Sequence, residues 1–359
     1  MIQAYKMDKA MDYQEYAINQ TWSAEAKIDL YRQMIRIRRF EQSALKNFQC
    51  GKMAGWLILS IGQESVAAGV RSLMCPEDHS ISGPRGMGHA LAAGIRMETI
   101  MAEFYGRTTG CSKGKAGAFS LFDPANHHWG CHGIAAAHTP LALGLAFALK
   151  QREIKGVVFC FLGDGSVNQG VYHESLNLAG LFGLPVIYII ENNGYAMGTS
   201  VSRSSRFNEC LARRAETYGI DWDLFSDENP YEIRARTQPA IERAREHQRP
   251  TVIEISTYRH YGFTVSDANR LKYRAPEEVA AKKARDPLML WRHRLIEEGI
   301  LDDACADRLS DQAKAEANEA AKFADNSPTP SLSDITQDVY CETDHDTGSS
   351  NIGRHFFDD

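Results

Sequence analysis

Two apolar runs, "GVVFCFL" at 156–162 and "PVIYIIE" at 185–191, limit the possible folds more than any other feature of the chain. Each has the length of one strand and neither alternates with polar residues, so each is predicted as a strand buried on both faces. The stretch between them, "NQGVYHESLNLAGLF", has the pattern of a helix, and "PTVIEISTYR" at 250–259 repeats the strand pattern. Apolar strands separated by helices require a parallel sheet with helices on both faces, an α/β fold.

The flanking sequence extends this plan. In "AKIDLYRQMIRIRRFEQSALKNFQC", residues 26–50, Leu30, Met34, Ile35, Phe40 and Leu45 fall at helical spacing and predict a long amphipathic helix. "GQESVAAGVRSLM" predicts a second helix, and "DHSISGPRGMGHALAAG" a strand end, a glycine-rich loop and a helix start. After "DPLMLWRHRL" the chain is helical and charged to about Phe323, and its end is rich in turn formers with little core. The expected organisation is an N-terminal arm over 1–25, one domain over 26–326 with helices at its C-terminal end, and a weakly ordered tail over 327–359.

With 359 residues, 43% of them hydrophobic, the chain can bury a sizeable core. A net charge of −6 gives no basic footprint, so neither nucleic acid nor a membrane is expected as a partner. The N-terminus "MIQAYKMDKAMDYQEYAINQ" lacks the pattern of a secretory signal, and no apolar run approaches the ~20 residues of a membrane helix. The 8 cysteines include no CxxC pair and are expected as reduced thiols, which favours a cytoplasmic location.

The chemistry lies at the strand ends. "GVVFCFLGDG" puts Asp164 at the carboxyl end of a strand, the edge where open parallel sheets bind ligands. Gly163 and Gly165 allow a tight turn, and the free N–H groups of the following helix suit a phosphate. An acid there would repel phosphate unless a cation stood between them; burying a diphosphate without one would cost on the order of tens of kcal/mol. A hard divalent ion, Mg2+ or Ca2+, is the expected bridge. The next strand delivers Asn193, whose amide oxygen can be a neutral ligand, and the carbonyl of Tyr195 can complete the set. Alone, "GDG" or "NNG" is most often a turn; together they recover a β-α-β unit with polar residues at both strand ends.

The spacing "GDG…NN" is similar to the signature of thiamine-diphosphate enzymes. With "GQES", "GRTTGCSKGKAG", "GIAAAHTPLALGLAFALK", "TYRHYGFTVSDANRLKYR" and "DPLMLWRHRL" in the same order, residues 25–325 resemble the alpha subunits of the decarboxylating component of 2-oxo-acid dehydrogenases. The pyruvate members are the most similar. The resemblance implies a thiamine-diphosphate-binding fold with a diphosphate-binding domain, and thiamine diphosphate with Mg2+ as cofactors. It makes Asp164, Asn193 and the Tyr195 carbonyl metal ligands, and Gly165 and Ser166 diphosphate contacts. Arg85, in "GPRGMGH", matches the arginine that approaches the diphosphate, and Gly133 and Ala135 match positions that hold the aminopyrimidine.

The departures bear on proton transfer. Where the family commonly has histidine this chain has Ile58, Met87, Ser120 and Phe263, and Pro84 replaces the usual tyrosine. His89, His132, His138 and His260 stand nearby in sequence and are the candidate replacements as catalytic groups; each is equally readable as a structural histidine. "HYGFTVSDANRLKYR", 260–274, resembles a mobile loop over the entrance, with Thr264 and Ser266 where some relatives are phosphorylated.

In two-subunit members the glutamate that activates the cofactor sits on the beta subunit, and no second diphosphate-binding domain is recognisable here. The resemblance therefore implies a beta partner in an α2β2 heterotetramer, a small 2-oxo-acid substrate with pyruvate first, and acyl transfer to a lipoyl acyltransferase of a multienzyme complex. Acetoin or branched-chain 2-oxo-acid dehydrogenase subunits, a split transketolase-like enzyme and a catalytically silent cofactor-binding homologue are the alternatives.

Overall fold

The computed structural model describes residues 12–267 and 273–337. Its centre is a six-stranded sheet built from β1 (His79–Ser82), β2 (His128–Cys131), β3 (Val158–Gly163), β4 (Val186–Asn192), β7 (Asp221–Ser226) and β8 (Thr251–Ser256). Two further strands, β5 (Tyr195–Ala196) and β6 (Thr199–Ser200), form a small antiparallel hairpin. The sheet runs β2-β1-β3-β4-β8-β7 with every pair parallel, so the α/β expectation holds. Strand order reverses between β1 and β3, and the loops leaving those strands part to open a crevice at their carboxyl ends.

The two central apolar runs fill both layers of core because successive side chains of a strand face opposite ways. Val158, Cys160 and Leu162 pack with Val186, Tyr188 and Ile190 against the helices Thr139–Gln151 and Gly170–Phe182. Phe159, Phe161, Ile187 and Ile189 pack on the other face, against the helices Glu64–Arg71 and Pro230–His247. The opening helix runs Ala24–Gln49, started by the Ser23 hydroxyl accepting from the Ala26 N–H at 3.2 Å. It joins the long C-terminal helix Asp303–Asn326 in a helical layer beside the sheet.

Three features go beyond the sequence reading. The edge strands β2 and β7 are short or polar and carry no long apolar run. Residues 13–22, assigned to the arm, pack into the domain: Trp22 is buried, stacked on Trp291 at 5.6 Å and edge-on to Tyr231. In the tail a short 3-10 turn spans Leu332–Thr336, and residues 338–359 lie outside the described residues. The seven described cysteines are free, and no described helix is long and apolar enough to cross a membrane.

A buried charge cluster ties these layers together. Arg38 of the opening helix donates to both oxygens of Glu64, and to Asp286 at 2.8 and 3.0 Å; the Gly62 N–H donates to Glu64 at 2.9 Å. Glu64 is fully buried, so removing its cation leaves a charge without compensation. Arg38→Met is expected to destabilise the chain by about 3–5 kcal/mol. Adding Glu64→Gln and Asp286→Asn should recover part of that loss, as read from urea unfolding midpoints.

Candidate active site

The crevice between the β1 and β3 loops continues into a cavity of about 400 Å³. Arg85, Gly133, Ala135, Asp164, Gly165, Ser166, Asn193 and Tyr195, every cofactor-contact residue expected from the sequence, line it. Their convergence follows from strand register. β3 and β4 pair with Gly163 opposite Glu191, so the residues just beyond, Asp164 and the two asparagines, emerge side by side.

Asp164 is buried, and its carboxylate is only half satisfied. Its Oδ1 accepts from the Gly165 N–H at 2.7 Å, whereas Oδ2 has no partner. Burial pushes its pKa up from 3.8 to about 6, opposed by the Gly165 N–H, the Arg259 and Arg85 guanidiniums and the Gly194 N–H. An orphaned, buried carboxylate oxygen of this kind fits a cation as its partner.

The paired asparagines divide their work. Asn192 is structural: its side chain accepts from the Gly194 N–H at 3.0 Å and donates to Glu254 at 2.6 Å. Asn193 lines the cavity; its amide nitrogen donates to Gln63 Oε1 at 3.2 Å, leaving the amide oxygen to accept from the Tyr195 N–H at 3.3 Å. That oxygen keeps a lone pair for a cation. Among the described residues no three His, Cys, Asp or Glu side chains cluster as a metal site, so a cation here would rest on one carboxylate and neutral oxygens. Gly165 must be glycine, because a Cβ there would lie 2.5 Å from the Ala196 Cβ of the hairpin above it.

The helix read over 168–182 is present, starting two residues later than expected. A 3-10 turn, Ser166–Asn168, comes first, and the α-helix begins at Gly170. Arg85 is anchored by donating to the carbonyls of Leu59 and Phe263. Burial and then the like charge of Arg259 hold its pKa down to about 10, so it remains a cation at neutral pH. Arg259 is a second buried cation that the sequence reading passed over. It donates to the carbonyls of Met197 at 2.6 Å and Tyr261 at 3.0 Å, tying the hairpin to the 260–274 segment. Its position just past the apolar run of β8 was the available signal.

A model of the dehydrogenase E1 component family matches residues 6–333. The pyruvate dehydrogenase E1 component subunit alpha of Rickettsia felis is 39% identical over 88% of this chain and 96% of its own length. The proteins of the same name from Rhizobium meliloti and Zymomonas mobilis are 37% and 38% identical, over 89% and 88% of this chain and 91% and 88% of theirs. The chain belongs to the dehydrogenase E1 component family. Membership agrees with the parallel α/β core and brings thiamine diphosphate as the family's cofactor.

Against this E1 framework the histidines can be located. None of the four candidates lines the cavity. His138 is buried; its Nε2 meets the Phe161 carbonyl at 2.8 Å, its Nδ1 has no partner, and burial lowers its pKa to about 4. His132 is held by the Trp129 carbonyl at 3.1 Å and lies 5.9 Å from the His138 ring. His260 lines a separate small cavity with Asp227 and Glu228, and burial depresses its pKa. His89 is one bond from the site: its Nε2 lies 3.1 Å from Glu191 Oε2, and Glu191 lines the cavity. The departures divide similarly. Ile58 and Met87 are buried in the core, the Ser120 carbonyl accepts from the Ser112 hydroxyl at 2.6 Å, and Phe263 lines the cavity. Of 260–274, residues 268–272 lie outside the described residues; the flanks are tied by Arg274 donating to the Arg259 and Tyr261 carbonyls, each at 2.8 Å.

A raised carboxyl pKa makes the folded state bind the proton more tightly than the unfolded one. The contribution of Asp164 is therefore favourable below about 3.8 and is lost as pH rises through about 6. Asp164→Asn is expected to stabilise the metal-free chain at pH 7 by roughly 3 kcal/mol, at ~1.4 kcal/mol per pKa unit. Denaturant unfolding at pH 7 and pH 4 checks this, with the gain disappearing at the lower pH.

Proposed function

We propose that this chain is the alpha subunit of a thiamine-diphosphate- and Mg2+-dependent pyruvate dehydrogenase, which decarboxylates pyruvate and passes the acetyl group to a lipoyl acyltransferase. The observation that carries the reading is the pairing of an orphaned Asp164 oxygen with Asn193 at adjacent strand ends, in a cavity also lined by Arg85. The relatives named pyruvate dehydrogenase E1 component subunit alpha support pyruvate as the substrate.

The bound cofactor supplies the electron sink that lets a 2-oxo acid lose CO2. The chain supplies its anchor. Asp164, Asn193 and the Tyr195 carbonyl would hold Mg2+, Gly165 and Ser166 would meet the diphosphate, and Arg85 would add charge-assisted hydrogen bonds. Gly133 and Ala135 would flank the aminopyrimidine. Of the four histidines, His89 is the best placed to handle a proton, relayed through Glu191.

A partner subunit is supported by what the chain leaves uncovered. Trp56 and Met197 line the cavity yet are 59% and 55% exposed, as a rim to be closed by another protein would be. Leu141 and Phe147 on one helix and Leu178, Leu181 and Phe182 on its neighbour are also exposed, with the Phe147 and Phe182 rings 6.1 Å apart. Such a patch suits a permanent interface, as a beta subunit in an α2β2 assembly would make.

The decisive experiment is calorimetry and turnover of the chain co-expressed with its beta subunit. Cofactor uptake should require magnesium; Asp164→Ala should abolish it, and Asn193→Ala should weaken it by roughly tenfold to a hundredfold, the scale of a lost contact around a metal. With an artificial electron acceptor the pair should turn over pyruvate faster than branched-chain 2-oxo acids or acetoin, and this chain alone should be inactive. Magnesium-independent uptake, or decarboxylation by the chain alone, would refute the assignment.

A further inference from the structure

Away from the strand ends, one buried acid organises a whole loop. Glu103, on the helix Met97–Phe104, is 1% exposed and has no arginine or lysine partner among the described ion pairs. Its carboxylate instead accepts four backbone N–H groups of the loop that follows. Oε2 takes those of Ser112 and Gly114 at 2.9 and 2.8 Å, and Oε1 those of Ala116 and Gly117 at 2.9 and 3.0 Å. Four N–H dipoles aimed at one carboxylate impose a curved path. Lys113, Gly114 and Gly117 adopt it with φ of 56°, 75° and 60°.

The loop leads directly to the cofactor cavity. Its last turn, Gly117–Phe119, sets the Phe119 ring 3.4 Å from the place a Cβ would take on Gly133, and 6.4 Å from the Trp56 ring at 68°. Gly133 and Trp56 line the cofactor cavity, and Glu103, Phe119, Gly133 and Trp56 also line an adjoining cavity of about 520 Å³. The Ser112 hydroxyl donates to the Ser120 carbonyl at 2.6 Å and closes the loop on itself.

We propose that Glu103 is a positioning residue: by gathering the 112–117 amides it sets Phe119, and through Phe119 the Gly133 and Trp56 wall of the cofactor cavity. The cofactor part of this proposal rests on the functional reading above. The charge matters because a glutamine of the same shape offers one acceptor oxygen and sets its NH2 against two N–H donors. Glu103→Gln therefore keeps the volume and breaks half of the clamp.

The test uses the chain assembled with its beta subunit. In Glu103→Gln, hydrogen exchange of the 112–117 amides should accelerate by about tenfold or more while the amides of the central strands stay unchanged. Cofactor affinity should fall about tenfold, and turnover should return at saturating cofactor, a shift in KM-type behaviour rather than in kcat. Phe119→Ala removes the link without touching the clamp. It should weaken the cofactor to a similar degree while leaving 112–117 exchange near wild type, and it decides the matter if the Glu103 variant does not assemble. Wild-type affinity in both variants would overturn the proposal, as would exchange that rises throughout the sheet in Glu103→Gln. A wild-type complex that takes up no cofactor would count against the functional reading instead. The exchange data and the change in Trp56 emission, against a Trp56→Phe control, would still decide whether Glu103 sets the wall.

Discussion

The in-register parallel pairing of β3 with β4 is the constraint on which the site depends. With Gly163 fixed opposite Glu191, the turn after one strand and the turn after the other leave the sheet at the same height, which brings Asp164 and Asn193 to one cavity. A slip by one residue would turn each strand's inward set to the opposite face and exchange the two core layers. Both layers are filled with bulky side chains of different shape, Tyr172 and Tyr188 on one side and Phe159 and Phe161 on the other. Packing of the core thus fixes the geometry of the ligand-binding edge, without any contact between the two polar side chains themselves.

The buried charges fall into two kinds. The Arg38, Glu64 and Asp286 cluster is closed: each acid meets the cation, and the cluster braces the opening helix against the start of the helix Pro287–Glu297. The cofactor edge is open, with Asp164 missing a partner on one oxygen and Arg85 and Arg259 repelling each other. An arrangement of this second kind costs stability until something completes it, and a diphosphate with a divalent cation would satisfy both signs at once.

The sequence was most legible where one physical demand outweighed the others. The runs that became β3, β4 and β8 had to be buried on both faces, so their composition announced them, and Gly165 after Asp164 marked a turn that tolerates no side chain under Ala196. The edge strands were hidden because an edge needs only one covered side: β7, "DWDLFS", alternates polar residues that an irregular segment could equally hold. Trp22 lay in a polar stretch that looked like an arm, and only its stack on Trp291, far away in sequence, gives it a place in the core. The same limit applies to the histidines. Spacing shows which imidazoles are near in sequence, but whether a ring meets the Phe161 carbonyl, as in His138, or a carboxylate of the cavity wall, as in His89, depends on tertiary contacts.

Those contacts also show what the residues at the positions expected to carry histidine do in this chain. Ile58 and Met87 sit in the apolar core, where a hydrocarbon side chain needs no hydrogen-bond partner and an imidazole would. At Phe263 it is the backbone that makes a polar contact at the cavity, its carbonyl accepting from Arg85 at 3.4 Å. The titratable groups lining the cavity are therefore Arg85, Asp164, Glu191 and Tyr195. Tyr195 donates its hydroxyl proton to a hydrogen bond with Glu278 at 2.9 Å, and Asp164 and Arg85 suit the cation and the diphosphate. Among the described residues that leaves Glu191, with His89 at 3.1 Å, as the pair that the proposed reading assigns to proton transfer. On the proposed reading, a cleft of this composition would anchor the cofactor with its own residues and take most of its proton chemistry from the cofactor and from a partner covering the exposed Trp56 and Met197 rim.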